Sequence, residues 1–219
     1  VEGRHGIVLE RLEGPSMDVM FFRHPLGAPR LAAHLAKLHA KMHHADASAV
    51  SDTLVGQLQR KITSPASPLP ARLRDAALRA MESMPEGDSL CHGDLHPQNV
   101  IWSPHRGPVS IDWDAPARGN PLADVARTYL ILSAGPRHAP ARIRPVVQLV
   151  SRAVVRAYMR AYRELAGALL ASAGDLRTWL WINAAARLVE GISVEQAWLL
   201  DMVRRGAATD VLAGGGAGR

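Results

Sequence analysis

Two short polar segments separated by a turn-rich stretch constrain the fold of this chain more than any other feature. The first reads CHGDLHPQN over residues 91–99, and the second reads VSIDWD over residues 109–114. The residues 103–108 between them, SPHRGP, favour turns, and the runs on either side are rich in strand-forming residues. We therefore predict a β-hairpin that returns Asp112 to the side of Asn99.

The polar residues of these segments have a spacing that suits phosphoryl transfer. His92, Asp94 and Asn99 form the pattern HxDxxxxN, in which the Asp of a kinase receives the substrate hydroxyl proton and the Asn holds magnesium. ATP brings several negative charges into such a site, and magnesium prefers oxygen ligands. We therefore predict Asp94 as the catalytic residue, with Asn99 and Asp112 as the magnesium ligands.

Three motifs occur in an order that resembles a known family. The segment 91–99, the run IDWDAP at 111–116 and the run GNPLADVA at 119–126 resemble those of the aminoglycoside phosphotransferase and choline kinase family. The resemblance implies the carboxy-terminal lobe of a protein-kinase-like fold: α+β, predominantly α-helical, with a small catalytic β-hairpin. It also implies ATP and magnesium as cofactors, the same roles for the three residues above, and a small hydroxylated molecule as acceptor.

The resemblance adds residues that support the catalytic loop. Asp124, within the GNPLADVA run, would be a buried support of that loop. His92 would play the structural role of the histidine that opens the loop. We expect His96 to order the loop or to border the substrate.

The first residues of the chain resemble the end of the family's amino-terminal lobe. The run IVLERLEG at 7–14 resembles the last strand of that lobe leading into the hinge. The backbone of this hinge would bind adenine near Glu10, Arg11 and Leu12. The run 31–43, which contains LAKLHAKMH, resembles the helix that follows.

We expect three regions along the chain. Residues 1–14 would be a remnant of the amino-terminal-lobe strand and hinge, 15–206 the helical phosphotransferase lobe, and 207–219 a flexible tail. The amino-terminal lobe is thus expected to be largely missing, including the strand lysine that anchors phosphate in the family. All lysines of the chain lie downstream of the hinge, namely Lys37, Lys41 and Lys61.

Two other functions are compatible with the sequence. A lobe without its partner lobe could be a non-catalytic remnant that acts as a binding module. Alternatively, His92, Asp94 and His96 form an HxDxH cluster that could hold zinc in a hydrolase, because imidazole and carboxylate suit this metal. That alternative explains neither the spacing to Asn99 nor Asp112 at a strand end.

Composition indicates a cytoplasmic globular protein of 219 residues with 47% hydrophobic content. The single cysteine, Cys91, excludes an internal disulfide and favours a reducing compartment, where we expect it to be a buried strand residue. No window has the length and apolarity of a membrane span.

The formal charge of +6 is concentrated in a stripe on one predicted helical face, which favours a solvated surface over a nucleic-acid site. The stripe consists of Arg152, Arg156, Arg160 and Arg163; the oligomeric state is left open.

Outside the two polar segments the chain reads as helical. Apolar spacing predicts helices at 31–43, about 71–84, 122–130, 179–189 and 193–203, with a loop at 64–70. His39, His43 and His44 are expected at a partly exposed surface. Trp179, Trp181 and Trp198 are candidates for substrate contact, although aromatic residues at helical spacing more often belong to the core.

Overall fold

The computed structural model of the chain describes residues 9–114, 116–170 and 174–214. The helices are α1 (Met17–Arg23), α2 (Ala28–His43), α3 (Leu54–Thr63), α4 (Ala71–Glu82), α5 (Pro121–His138), α6 (Arg144–Ala166), α7 (Leu176–Arg187) and α8 (Ser193–Gly214). The strands are β1 (Ser89–Cys91), β2 (Val100–Ser103), β3 (Gly107–Ser110) and β4 (Ala117–Gly119). Residues 7 and 8 of the expected amino-terminal strand lie outside the described residues.

The hairpin predicted from the two polar segments is present. Strand β2 pairs antiparallel with β3, with Val100 opposite Ser110. The N–H of Ile111 donates a hydrogen bond of 2.9 Å to the carbonyl of Asn99, one residue beyond the paired strands. The hairpin therefore opens toward residues 92–99, which we call the HGD loop.

The segment before α1 runs beside this hairpin. Ser16 forms a bridge with Ile101, and the N–H of Trp102 donates to the carbonyl of Pro15 at 2.8 Å. Gly14 has a φ of 132°, and a Cβ there would overlap the Trp102 carbonyl. Only glycine allows the chain to approach β2 this closely.

A second small sheet brings the start of the HGD loop next to the start of α5. Strand β1 pairs antiparallel with β4, and Cys91 on β1 is fully buried, as expected. Asn120 follows β4 and caps α5 by accepting the N–H of Leu122 at 2.9 Å. Pro121 occupies the first helical turn, where its missing N–H costs nothing. The chain thus turns from strand to helix next to the HGD loop.

The core is built between the long helices. Helix α2 packs along α6, and α5 packs against both α6 and α7. Trp179 and Trp181 are buried in this core, so the structural interpretation of these two residues is confirmed. Trp198 is half-buried, with the guanidinium of Arg137 stacked 3.7 Å from its ring centre.

The helices differ from the expected ones in two places. Helix α3 was not predicted, although Leu54, Leu58 and Ile62 form a stripe on it and Thr53 caps it by accepting the N–H of Gly56. Helix α8 continues to Gly214, so the first part of the expected tail is helical. Gly206, beyond the predicted end at residue 203, still lies against Trp181 of α7.

The surface of α6 carries the arginine stripe. All four stripe arginines are exposed, whereas Val154 and Tyr158 on the opposite side are buried. Arg160 pairs with Glu164 at 3.0 Å, which favours a solvated face. Among the described residues, we find no helix with the length and apolarity needed to cross a membrane.

Candidate active site

The HGD loop leads from β1 through a 3-10 turn, Pro97–Asn99, into β2. Gly93 has a φ of 76°, a left-handed conformation that glycine adopts without strain. Asp94 follows it, with a side chain that is 42% exposed. His96 accepts the N–H of Gln98 through Nδ1 at 3.3 Å, and its Nε2 lies 3.6 Å from Oδ2 of Asp94. His96 therefore contacts both the turn and the Asp94 carboxylate.

Asn99 and Asp112 lie on the two sides of the open end of the hairpin. Nδ2 of Asn99 donates to the backbone carbonyl of Asp94 at 3.0 Å, and Oδ1 has no hydrogen bond among the described residues. Asp112 is exposed and has a φ of 65°, a conformation that is uncommon outside glycine and often marks functional sites. An amide oxygen and a carboxylate at adjoining positions form a donor set that suits magnesium.

Asp124 joins the HGD loop to the core. Its Oδ1 accepts the N–H of Gly93 at 2.9 Å, and its Oδ2 accepts the N–H of His92 at 2.7 Å. Oδ2 also lies 3.0 Å from Nε2 of His39 and 3.3 Å from Nε2 of His43. Burial opposes ionisation of Asp124, but the histidines next to it hold the pKa of this carboxyl well below its usual range.

The expectation that His39 and His43 lie at the surface is wrong. Both are buried, because α2 turns this face toward α6; His44 is exposed, as expected. Nδ1 of His39 bonds the hydroxyl of Tyr158 at 2.6 Å, and Nδ1 of His43 bonds that of Tyr162 at 2.7 Å. Since an ionised carboxylate only accepts, each Nε2 carries a hydrogen and donates it to Asp124.

One face of α5 contacts three successive parts of the HGD loop. Asp124 accepts the first two N–H groups, as described above. Arg127 donates to Oδ1 of Asp94 through Nε at 3.0 Å and Nη2 at 2.8 Å, and Thr128 donates to the carbonyl of Leu95 at 2.7 Å. Partial burial opposes ionisation of Asp94, but contact with His96 and the charge of Arg127 lower the pKa of Asp94 below its ordinary value.

The ion pair at Asp94 continues into the core as a chain of charges. Nη1 of Arg127 pairs with Glu190 at 2.6 Å, and Glu190 also pairs with Arg187 at 2.8 Å. Arg187 in turn binds the buried carboxylate of Glu195 at 2.6 Å. Each of these carboxylates therefore already has an arginine partner.

His92 faces away from the Asp94 carboxylate. Its Nε2 donates to the carbonyl of Ile111 at 3.0 Å, and its ring lies 4.6 Å from that of Trp113. In the described part of the chain, the metal-type ligands that lie close together are His39, His43 and Asp124 rather than the HxDxH residues. The geometry thus gives no support to the zinc-hydrolase alternative.

The residues expected to border adenine lie on the segment before α1. Glu10, Arg11 and Leu12 have no regular secondary structure, and Glu10 pairs with Arg106 in the hairpin turn at 2.8 Å. Arg11 is exposed and Leu12 is half-buried. Their role in binding adenine stays a prediction.

A comparison of sequences decides the family. A family model described as "Phosphotransferase enzyme family" matches residues 1–168 of the chain. The chain belongs to this family. No curated protein shows a significant sequence match to it.

Solved structures agree on the fold of this family member. A structure of LicA in complex with AMP superposes with a TM-score of 0.58 at 12% identity, covering 91% of this chain and 68% of that one. A second solved structure of LicA is described as that of a choline kinase from Streptococcus pneumoniae. An apo thermostable mutant of aminoglycoside phosphotransferase APH(4)-Ia gives a TM-score of 0.57 at 20% identity, covering 95% of this chain and 72% of that one. A glucosamine kinase bound to glucosamine, ADP and phosphate gives a TM-score of 0.52 at 16% identity, covering 88% of this chain and 53% of that one.

The fold is therefore kinase-like and mostly helical, as the family resemblance implied. Sequence reasoning missed Arg127 and Thr128, which follow Asp124 at helical spacing and contact the HGD loop. Their positions three and four residues after Asp124 are a usable signal, because such residues share one helical face. Lys61, His39 and His43 were also not predicted near the site, since they approach it from distant segments.

Proposed function

We propose that this family member is an ATP- and magnesium-dependent phosphotransferase that moves the γ-phosphate to a hydroxyl of a small molecule. The observation that carries the proposal is the grouping of Asp94, Asn99 and Asp112 around the open end of one hairpin. Choline kinase LicA and glucosamine kinase, whose folds are similar, are described with AMP or ADP and act on small acceptors. These likenesses support nucleotide use and a hydroxylated acceptor.

Asp94 is suited to orient the acceptor hydroxyl. Its lowered pKa keeps the carboxylate ionised at neutral pH, and Arg127 fixes one of its oxygens while the side chain stays accessible. The bond from the hydroxyl oxygen to the γ-phosphorus forms as the bond to ADP breaks. Asp94 accepts the hydroxyl proton in the course of this transfer.

Asn99 and Asp112 would hold magnesium, with the amide of Asn99 oriented by its bond to the Asp94 carbonyl. Magnesium, when bound, neutralises phosphate charge. Adenine would lie against the backbone at Glu10, Arg11 and Leu12. We further propose a cytoplasmic location, supported by the buried unpaired Cys91.

The test is acceptor-dependent release of ADP from ATP, over a panel of hydroxylated metabolites and aminoglycosides. We expect Asp94→Asn to lower the rate about 100-fold or more, as loss of a positioned base does. Asp201→Asn, at an exposed carboxylate that pairs with Arg205, is the matched control and should keep the rate. Full activity of Asp94→Asn would contradict the mechanism, and a chain that releases no ADP with any acceptor would favour the non-catalytic remnant.

A further inference from the structure

A groove opens on the side of α5 that faces away from the HGD loop. Tyr129, Ser133 and Arg137 line it from α5, each one helical turn after the last. Asp124 and Thr128, which contact the HGD loop, lie on the opposite face of this helix. Helices α6 and α8 form the other walls, and the groove has a volume of about 430 Å³. It is therefore large enough for a small molecule and separate from the candidate active site.

Part of the lining is apolar. Pro136 and Val155 are buried there, and Met202 and the ring of Trp198 are half-buried. A ligand with an apolar body would gain free energy by removing water from these side chains.

Arg137 is held in place within the groove. Its guanidinium stacks 3.7 Å from the ring centre of Trp198, and its Nη1 donates to the carbonyl of Ser133 at 3.2 Å. Its Nε and Nη2 have no hydrogen bond among the described residues. These two nitrogens form the edge of the guanidinium that binds a carboxylate or a phosphate through two parallel hydrogen bonds. Because the stacked side chain is already ordered, an anion that binds there loses little of its gain to ordering this arginine.

The charges around the groove are positive and unpaired. Arg152 and Arg156, two members of the arginine stripe, line it from α6, and neither has a hydrogen bond or ion pair in the described part of the chain. The described residues that line the groove include no carboxylate. The charge of Glu195 acts on Arg137, but this carboxylate is buried and already bound to Arg187 at 2.6 Å. The three groove arginines therefore create a positive potential that favours an anion.

We propose that this groove is a second ligand site, which binds a small organic anion: a carboxylate or a phosphate monoester on an apolar body. The anionic group lies at the Nε and Nη2 edge of Arg137, with Arg152 and Arg156 as further cations on the α6 wall. The apolar body contacts Trp198 and Val155. Binding at this site requires neither ATP nor phosphate transfer, so the inference goes beyond the proposed function and does not rest on it.

Titration of the full chain with five probes tests the chemistry of the ligand. Phenyl phosphate and phenylacetate carry both an anion and an apolar ring, whereas inorganic phosphate lacks the ring, benzyl alcohol lacks the charge and phenethylamine reverses it. We expect phenyl phosphate or phenylacetate to shift the ¹⁵N signals of Arg137 Nε and of the Trp198 indole saturably, and the tighter of the two identifies the anion. The inference is overturned if neither binds, or if any of the other three probes binds as tightly.

Matched arginine variants locate the bound anion. Calorimetry should show that the anionic probe binds about 10-fold or more weakly to Arg137→Gln, a loss of about 1.4 kcal/mol. Arg156→Gln, at an exposed residue whose replacement leaves the core intact, should also bind it more weakly. Arg204→Gln removes the same charge at an exposed position of α8 outside the groove and should bind it as the wild type does. Wild-type affinity in both groove variants, or an equal loss in Arg204→Gln, would refute the site.

A last variant distinguishes this groove from the candidate active site. Lys61 and Arg127 are cations next to Gly93 of the HGD loop, and an anionic probe could bind there instead. We expect Lys61→Met to bind the probe with unchanged affinity. Weaker binding by Lys61→Met, with unchanged binding by Arg137→Gln, would place the anion at the HGD loop and contradict the inference.

Discussion

Asp124 and the two histidines beside it illustrate how single residues hold this site. The carboxylate accepts hydrogen bonds from α2 and from the first N–H groups of the HGD loop, so one buried side chain fixes the loop to the core. The second ring nitrogen of each imidazole hydrogen-bonds a tyrosine hydroxyl. The carboxylate, the two imidazoles and the two tyrosines therefore form one buried hydrogen-bonded group.

His43 makes the stability of the protein dependent on pH. Burial and the neighbouring His39 lower the pKa of His43 from 6.5 to about 4, although Asp124 opposes this shift. Below 6.5 the unfolded chain binds a proton at His43, whereas the folded protein does so only near 4. The free energy of unfolding should therefore fall by up to about 3 kcal/mol as the pH drops through this window.

Urea unfolding at a series of pH values measures this fall. His43→Gln should make the free energy of unfolding depend less steeply on pH, while His105→Gln, at an exposed histidine in the hairpin turn, should leave that dependence unchanged. Equal slopes in the wild type and His43→Gln would show that His43 does not carry the effect.

At the scale of elements, the close packing of α8 on α7 is the most sensitive contact. Gly206 on α8 lies against Trp181 of α7, and a Cβ at this position would overlap the indole ring. Trp181 is 3% exposed, so it has little room to move. The two helices can approach this closely only because α8 has a glycine there.

We expect Gly206→Ala to lower the free energy of unfolding by about 1–3 kcal/mol, as overpacking does, despite the better helix propensity of alanine. Gly135→Ala on α5 is the control, because a Cβ there meets no atom within 4 Å. Its effect should be small, since Pro136 follows it and offsets part of the gain in propensity. Thermal or urea unfolding of both variants checks this, and a Gly206→Ala protein as stable as the wild type would refute the close contact.

Across the whole molecule, charge pairs connect the HGD loop to the last helix. The chain of contacts runs from Asp94 through Arg127, Glu190 and Arg187 to Glu195 on α8. Arg187 and Glu195 are shielded from solvent, so removing one of these two partners leaves an uncompensated buried charge. The core therefore holds Asp94 together with the loop that carries it.

The sequence predicts those parts of the site that depend on neighbouring residues. The hairpin and the positions of Asn99 and Asp112 follow from turn residues and spacing, which are local. The burial of His39 could not be predicted, because its tyrosine partner is 119 residues away and the charge pattern of α2 does not reveal it. Lys61 was missed for a similar reason, since helix α3 itself was not recognised.

Calorimetric titration with magnesium-ATP tests the central claim most directly, that Asp94, Asn99 and Asp112 form a site for this nucleotide. We predict that the chain binds magnesium-ATP and that Asp112→Asn weakens binding about 10-fold or more. Asp114→Asn, at the exposed carboxylate two residues on, should bind as the wild type does. Binding of equal strength by Asp112→Asn and the wild type, or no binding by the wild type, would contradict the account.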